Sequence, residues 1–299
     1  MAVLNPSKYM ELLPMEVRSA VNKVIQVLEE SFTGLWMPNN LLNATYHYIR
    51  NRGGKLIRPT LVLLMAYALG NGSGLEKAVL PAASVELIHT ASLLQDDIMD
   101  QQSIRRGGVE TPYSIYGPHT AMLASDLIIA KAVEYAIRSG DNDIVFELLN
   151  SSIKLAIGQS FESELSGRAD VTIDDYLRLI YYKTASLIES SMVVGAYSVN
   201  VKDSEVISRI RDVGRFVGIA FQVRDDLIDY LNIDSRNPGV NTDEVNIVRI
   251  MSRGNDDVRG AIDKARGGLL NEMLDNAVKM VREVVNNEVL VNYINLLRI

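Results

Sequence analysis

From Met15 onward, apolar residues recur at three- and four-residue steps with polar residues on the intervening faces, which is the period of a helix. Alternating strand patterns bounded by turn residues are essentially absent. The pattern predicts an all-α fold with helices at 15–32, 39–51, 58–70, 81–100, 118–139, 143–167, 174–198, 204–232, 243–253, 256–286 and 288–297. Turn chemistry separates them at Asn51-Arg-Gly-Gly-Lys55, Asn71-Gly-Ser-Gly74, Arg106-Gly-Gly108, Gly117-Pro118 and Asn237-Pro-Gly239, and Thr172 with Asp175 has the form of a capping box. No composition shift, linker or fixed repeat divides the chain, so a single domain over residues 1–299 is expected.

Two of these helices end in carboxylates. Pro81 suits a first helical turn, and Val85, Ile88, Ser92 and Asp96 then follow at helical spacing, so that His89, Asp96 and Asp100 fall near one stripe. In the second stretch, Gly214, Gly218, Gln222, Asp225/Asp226 and Asp229 share a face. Carboxylates at a helix C-terminus oppose the macrodipole, so a cation is expected there. Two Asp-Asp-x-x-Asp clusters, Asp96/Asp97/Asp100 and Asp225/Asp226/Asp229, offer oxygen ligands only. Such a set suits Mg²⁺, which keeps several waters and shares its other positions between carboxylates and substrate phosphates. Gly214 and Gly218 read as close helix packing, without chemistry.

Composition narrows the chemistry further. With 47% hydrophobic and 22% charged residues the chain is an ordinary globular one, and its formal charge of −7 argues against a nucleic-acid surface. The absence of cysteine excludes disulfides, thiolate zinc and thiol nucleophiles. The N-terminal residues lack the basic and apolar regions of a signal peptide, and the longest apolar run, near Leu61 to Leu69, is too short to span a bilayer. A cytoplasmic protein without a transmembrane segment is expected.

Cations sit in suggestive places. Lys55 and Arg58 flank the Gly53-Gly54 turn at a helix start, Arg105 and Arg106 follow the first acidic cluster, and Lys183-Thr184 interrupts a helical stretch. Arginine suits bidentate phosphate binding and lysine acts as a point charge. No Ser/His/Asp or Cys/His pairing, no P-loop and no dinucleotide fingerprint is present. The remaining chemistry is electrostatic: stabilising charge on a departing diphosphate while apolar helix walls shield a carbocation.

Seven segments, Gly53-Gly-Lys-Leu-Ile-Arg-Pro59, Glu86-Leu-Ile-His89, Asp96-Asp-Ile-Met-Asp100, Arg105-Arg-Gly107, Gly158-Gln159, Lys183-Thr184 and Phe221-Gln-Val-Arg-Asp-Asp-Leu-Ile-Asp-Tyr230, together resemble the trans-isoprenyl diphosphate synthase (polyprenyl synthetase) family. The resemblance implies a bundle of about ten or more helices around a deep central cavity, usually a homodimer. It implies a trans-prenyltransferase that condenses isopentenyl diphosphate with an allylic diphosphate. Lys55, Arg58, His89 and Arg106 would hold the isopentenyl diphosphate. Arg105 and Lys183 would hold the allylic diphosphate, with Mg²⁺ on Asp96, Asp100 and Asp225. Asp229 completes the acidic set, acting with Asp97 mainly through the ligands. Thr184 and Gln222 would stabilise the cationic intermediate and the leaving oxygen.

Small residues, Ala91 and Ser92, stand where the family often floors its cavity with bulky ones. Each helical turn opened deepens a cavity by about 5.4 Å, so products of twenty carbons or more are expected. Two departures stand out. The family usually has Gly-Lys-Pro and then Asp-x-x-x-Gly-Lys after the second acidic motif, where this chain has Arg236-Asn-Pro238 and Asn241-Thr-Asp-Glu-Val-Asn246. Asn237 and Asn246 thus replace lysines, and Arg236 and Arg249 are the candidate substitutes. Ser125-Asp126 replaces a Gly-Asp pair. The absent lysine keeps a non-catalytic partner subunit of a heteromeric synthase as an alternative. A terpene cyclase is a further alternative, opposed by Lys55, Arg58 and His89 together.

Overall fold

The computed structural model describes residues 10–51, 56–105, 108–236, 245–253 and 257–299, excepting the side chains of 232–236. These fall into two compact units, one formed by residues 13–149 and 194–201, the other mostly by 150–193 and 202–299.

In the first unit, α1 (Met15–Glu30), α2 (Asn39–Arg50), α3 (Ile57–Leu69) and α4 (Leu75–Met99) precede a two-stranded antiparallel hairpin, β1 (Ile104–Arg105) and β2 (Val109–Glu110). Then come α5 (Pro112–Tyr116), α6 (Pro118–Arg138) and the start of α7 (Asn142–Leu165). The unit is built around α4, which packs against α1, α3 and α6 and buries Ala82, Ala83, Val85, Leu87, Ala91 and Leu94. Its neighbour α6 meets it through Ala121, Ala124, Ser125, Ile128 and Ala132, all buried. Small side chains let the two helices approach until Ser84 Oγ donates to the Ala132 carbonyl at 2.7 Å.

Helix α4 begins six residues before the expected Pro81. Gly74, at φ +82°, makes the left-handed entry, and Pro81 lies inside the helix. An interior proline forfeits one backbone bond, a loss opposed here by burial of Leu75, Ala78 and Val79 in the added turn. The hairpin is also an addition to the all-helical expectation, since two-residue strands carry no readable alternation.

In the second unit, α8 (Ile173–Ile180) opens on the expected capping box: Thr172 Oγ1 accepts from Asp175 N at 3.1 Å, and Thr172 N donates back to the Asp175 carboxylate at 3.1 Å. The chain then runs through a π-helical turn, Tyr181–Ala185, into α9 (Ser186–Ser198). The expected single helix over 174–198 is thus continuous but locally underwound. The long α10 (Ser204–Arg236) follows, then α11 (Ile247–Ser252), α12 (Val258–Lys264), a second π-helical segment (Ala265–Asn271), α13 (Glu272–Val284) and α14 (Glu288–Asn295). Helix α10 is the spine of this unit and packs against both π-helical segments and α13. Its two glycines are close-packing positions, as expected: a Cβ on Gly214 would stand 2.5 Å from Glu189 Cα, and one on Gly218 would stand 2.5 Å from Ala185 Cα.

Candidate active site

The first acidic motif closes α4, and its three aspartates have different surroundings. Asp96 is half-buried and Asp100 exposed, whereas Asp97 is fully buried. Burial of an unpaired carboxylate is costly, and Asp97 is satisfied by two side-chain partners that are themselves bonded to each other. Tyr48 of α2 donates its hydroxyl to Oδ2, Arg105 of β1 donates Nε to Oδ1 at 2.7 Å, and Arg105 Nε also reaches the Tyr48 hydroxyl at 3.1 Å. Arg105 Nη2 is tied to the Leu93 carbonyl at 2.8 Å. Burial holds the Asp97 carboxyl above its ordinary range against the pull of Tyr48 and Arg105, and burial together with Asp97 pushes the Tyr48 phenol well up, so the tyrosine remains a donor. Tyr48 is therefore part of the site. Tyr46 and Tyr48 lie nearly opposite one another around α2, and it is Tyr46 that meets the Phe32 ring.

Arg58 sits in the first turn of α3, entered through Leu56 in the left-handed region at φ +49°. His89 lies within electrostatic reach of both Arg58 and Arg105. Burial first, then these two cations, hold its imidazole far below the usual histidine range, so it is neutral and presents one N–H and one acceptor. His47 is also held down, chiefly by burial. Both take up protons more readily once unfolded, so below about pH 6.5 the unfolded state binds more protons and stability rises with pH through that window. The thermal midpoint is expected to be higher at about pH 7.5 than at about pH 5.5. Replacing both histidines with glutamine should flatten that difference, as read by melting at the two pH values. Lys55 and Arg106, the other expected phosphate ligands, lie outside the described residues.

The second acidic motif repeats the arrangement on α10. Asp225 and Asp229 are half-buried and Asp226 is buried. Asp226 Oδ2 accepts from the Tyr176 hydroxyl at 2.9 Å and from Ile247 N at 3.3 Å, and Oδ1 accepts from Gln222 Nε2 at 2.8 Å. Gln222 Oε1 in turn accepts from Thr184 Oγ1 at 2.8 Å. The expected pair Thr184 and Gln222 is thus joined in a chain of donors ending on the inner aspartate. Buried Arg224 pairs with Asp225 at 3.2 Å. Asn246, in place of the family's lysine, caps α11 through Val248 N at 2.9 Å and donates to the Asp226 carbonyl at 3.2 Å. Its role here is to pin α11 to the acidic motif. Arg249 lines a cavity of about 430 Å³ with Arg168, Arg253 and Asn246. Asn237 lies outside the described residues, and the side chain of Arg236 is among those excepted.

Lys183 and Thr184 are carried by the π-helical turn. A Cβ on Gly158 of α7 would lie 2.5 Å from Lys183 N and 2.8 Å from its Cα, so only glycine lets α7 approach this turn. One turn further along α7, Glu162 pairs with Lys183. The turn is clamped from its other end by Glu189, whose side chain is fully buried. Lys154, Arg211 and Arg215 surround it at 3.4, 3.1 and 3.5 Å, and Lys154 Nζ donates to the Tyr181 hydroxyl at 2.9 Å. Periodicity alone does not distinguish Glu162 and Glu189 from solvated carboxylates.

Among the described residues no three acidic or imidazole side chains converge on a point. The donors of each motif nonetheless fit a hard cation that retains water: Asp96 and Asp100 in one unit, and Asp225 and Asp229 in the other, offer oxygen ligands, while the inner aspartate of each motif is bonded to a tyrosine.

Long helices that carry paired aspartate motifs on their surfaces define the all-α isoprenoid synthase fold. A geranylgeranyl pyrophosphate synthetase from the archaeon Geoglobus acetivorans superposes with a TM-score of 0.82 at 28% identity, covering 94% of this chain and 98% of that one. The chain belongs to the polyprenyl synthetase family, whose model matches residues 39–243. A short chain isoprenyl diphosphate synthase of Methanothermobacter thermautotrophicus is 38% identical over 229 residues, 75% of this chain and 65% of that protein, so the match takes in under two thirds of that relative's length. Octaprenyl diphosphate synthase of Escherichia coli is 31% identical, over 78% of this chain and 74% of its own length.

Proposed function

We propose that this protein is a Mg²⁺-dependent trans-prenyltransferase that extends an allylic diphosphate with isopentenyl diphosphate to an all-trans product of twenty carbons or more. The observation that carries this reading is the end of α4, where outward Asp96 and Asp100 stand beside an inner aspartate locked to Arg105, with neutral His89 within electrostatic reach of both that arginine and Arg58.

Asp96, Asp100, Asp225 and Asp229 are the carboxylates offered to Mg²⁺, which when bound neutralises charge on the diphosphate leaving group. Arg105 and Lys183 hold the allylic diphosphate, and Lys183 exchanges its Glu162 partner for phosphate oxygens. Lys55, Arg58, Arg106 and the His89 N–H hold the isopentenyl diphosphate. The allylic carbon–oxygen bond breaks, its electron pair leaving with the diphosphate. The isopentenyl double bond then attacks the carbocation, and the resulting cation loses a proton to the released diphosphate. Thr184 and Gln222, oriented by Asp226, present oxygen dipoles to the cationic intermediate. No side-chain base is required.

The family model's match takes in residues of both compact units, which supports reading 1–299 as a single synthase domain. A homodimer is supported by α7, which exposes Phe146, Leu149, Ile153 and Ile157 along one face. Among the described residues no helix is long and apolar enough to cross a membrane, and a cytoplasmic enzyme is the reading we adopt. Incubation of purified protein with Mg²⁺, labelled isopentenyl diphosphate and separate dimethylallyl, geranyl, farnesyl and geranylgeranyl primers, followed by chain-length analysis, tests the proposal. Products of twenty or more carbons are expected. Failure to extend any primer by folded protein would favour the partner-subunit alternative.

A further inference from the structure

Each acidic motif has an inner aspartate that is buried and bonded to a tyrosine from an earlier helix, Asp97 to Tyr48 and Asp226 to Tyr176. The same device occurs in two unrelated stretches of sequence, and Tyr176 is itself almost fully buried. In the first motif the tyrosine does more than satisfy a carboxylate. Arg105 Nε is shared between Asp97 Oδ1 and the Tyr48 hydroxyl, its Nη2 is fixed on the Leu93 carbonyl, and its Cζ lies 5.4 Å from the Tyr48 ring centroid. One edge and one face of the guanidinium are thereby set, and Nη1 is not engaged by these bonds. The Arg105 side chain remains 26% exposed, whereas Asp97 is inaccessible.

We infer that Tyr48 is a positioning residue that, with Asp97, aims the free end of the Arg105 guanidinium at the allylic diphosphate. The inference rests on the assignment of Arg105 to that substrate. Without the hydroxyl, Asp97 keeps one partner and Nε loses one of its two acceptors, so the guanidinium can swing on its β1 anchor. Isopentenyl diphosphate, held by Lys55, Arg58, His89 and Arg106, should be little affected.

The test uses the full-length protein with Mg²⁺ and a non-ionising probe, geranyl S-thiolodiphosphate, with binding read directly by calorimetry and KM measured for each substrate. Tyr48→Phe is expected to weaken probe binding about five- to tenfold, the scale of one ordinary hydrogen bond, and to raise the allylic KM with the isopentenyl KM within about twofold. Arg105→Lys should weaken the probe as well, and the double variant should be no weaker than Arg105→Lys alone, because Tyr48 acts through the arginine. Tyr46→Phe is the control for a general packing loss: Tyr46 lies on the same helix as Tyr48, its hydroxyl accepts from buried Phe32 N at 3.1 Å, and it makes no bond to Asp97. Probe binding unchanged in Tyr48→Phe, additive losses in the double variant, or an equal loss in Tyr46→Phe would each overturn the positioning role. Wild-type protein that fails to bind the probe would instead overturn the substrate assignment on which it rests.

Discussion

Gly158→Ala is expected to slow turnover about a hundredfold and to lower the thermal midpoint together. The added methyl would meet Lys183 N at 2.5 Å, Tyr182 C at 2.7 Å and Lys183 Cα at 2.8 Å. These are backbone atoms of the π-helical turn, so no side-chain rotation relieves the clash. Either α7 moves away or the turn is displaced. Overpacking of this kind costs about 1–3 kcal/mol. Displacement also moves Thr184 off Gln222, and with it the donor chain that ends on Asp226. A placement error of about 1 Å at reacting groups costs about a hundredfold in rate. Melting curves and single-turnover rates check the two arms. Full activity with an unchanged midpoint would mean that the close approach of α7 has no bearing on Lys183 and Thr184.

Asp96→Ala with Asp100→Ala should show the opposite balance, a large loss of rate with little loss of stability. Both residues belong to the last turn of α4 or its cap, where carboxylates oppose the macrodipole, so their removal changes stability by about 0.3–1 kcal/mol, in the stabilising direction. Loss of the charges proposed to hold Mg²⁺ should slow turnover at least about 10²–10³-fold. Retained Mg²⁺-dependent turnover would remove these aspartates from the metal site. Asp97→Ala makes the instructive contrast, since it strands the Tyr48 hydroxyl and the Arg105 guanidinium beside a buried hole. Breaking such a pair typically costs about 3–5 kcal/mol. Three aspartates within five residues are thus expected to differ in kind: two whose loss shows in rate, and one whose loss shows first in stability.

The helices and both acidic motifs were legible because their signals are periodic or local. Residues 15–30, 39–50 and 118–138 are helical within two residues of the expectation. A capping box is a contact between neighbours, so Thr172 and Asp175 could be read directly. The π-helical turn was visible only as the suspicion that Lys183-Thr184 interrupts a helix, because one underwound turn shifts the apolar phase too little to read. Pro81 misled by position, since a proline tolerated in a second turn looks the same in sequence as one that starts a helix. Tyr48 and Tyr176 were hidden for a different reason. A tyrosine packed by its ring and one committed by its hydroxyl occupy the same helical phase, and the partner aspartates lie 49 and 50 residues away.

The underwound turn at Tyr181–Ala185 also bears on how this protein can be improved. A π-helical turn behaves as an α-helix that has accepted one extra residue, and its longer loops make weaker backbone bonds than the ones they replace. Shortening the segment by a residue would restore ordinary winding and favour the helix, while rotating Lys183 and Thr184 relative to everything downstream. Selection for thermostability alone would therefore press toward repairing this turn, and selection for activity toward keeping it.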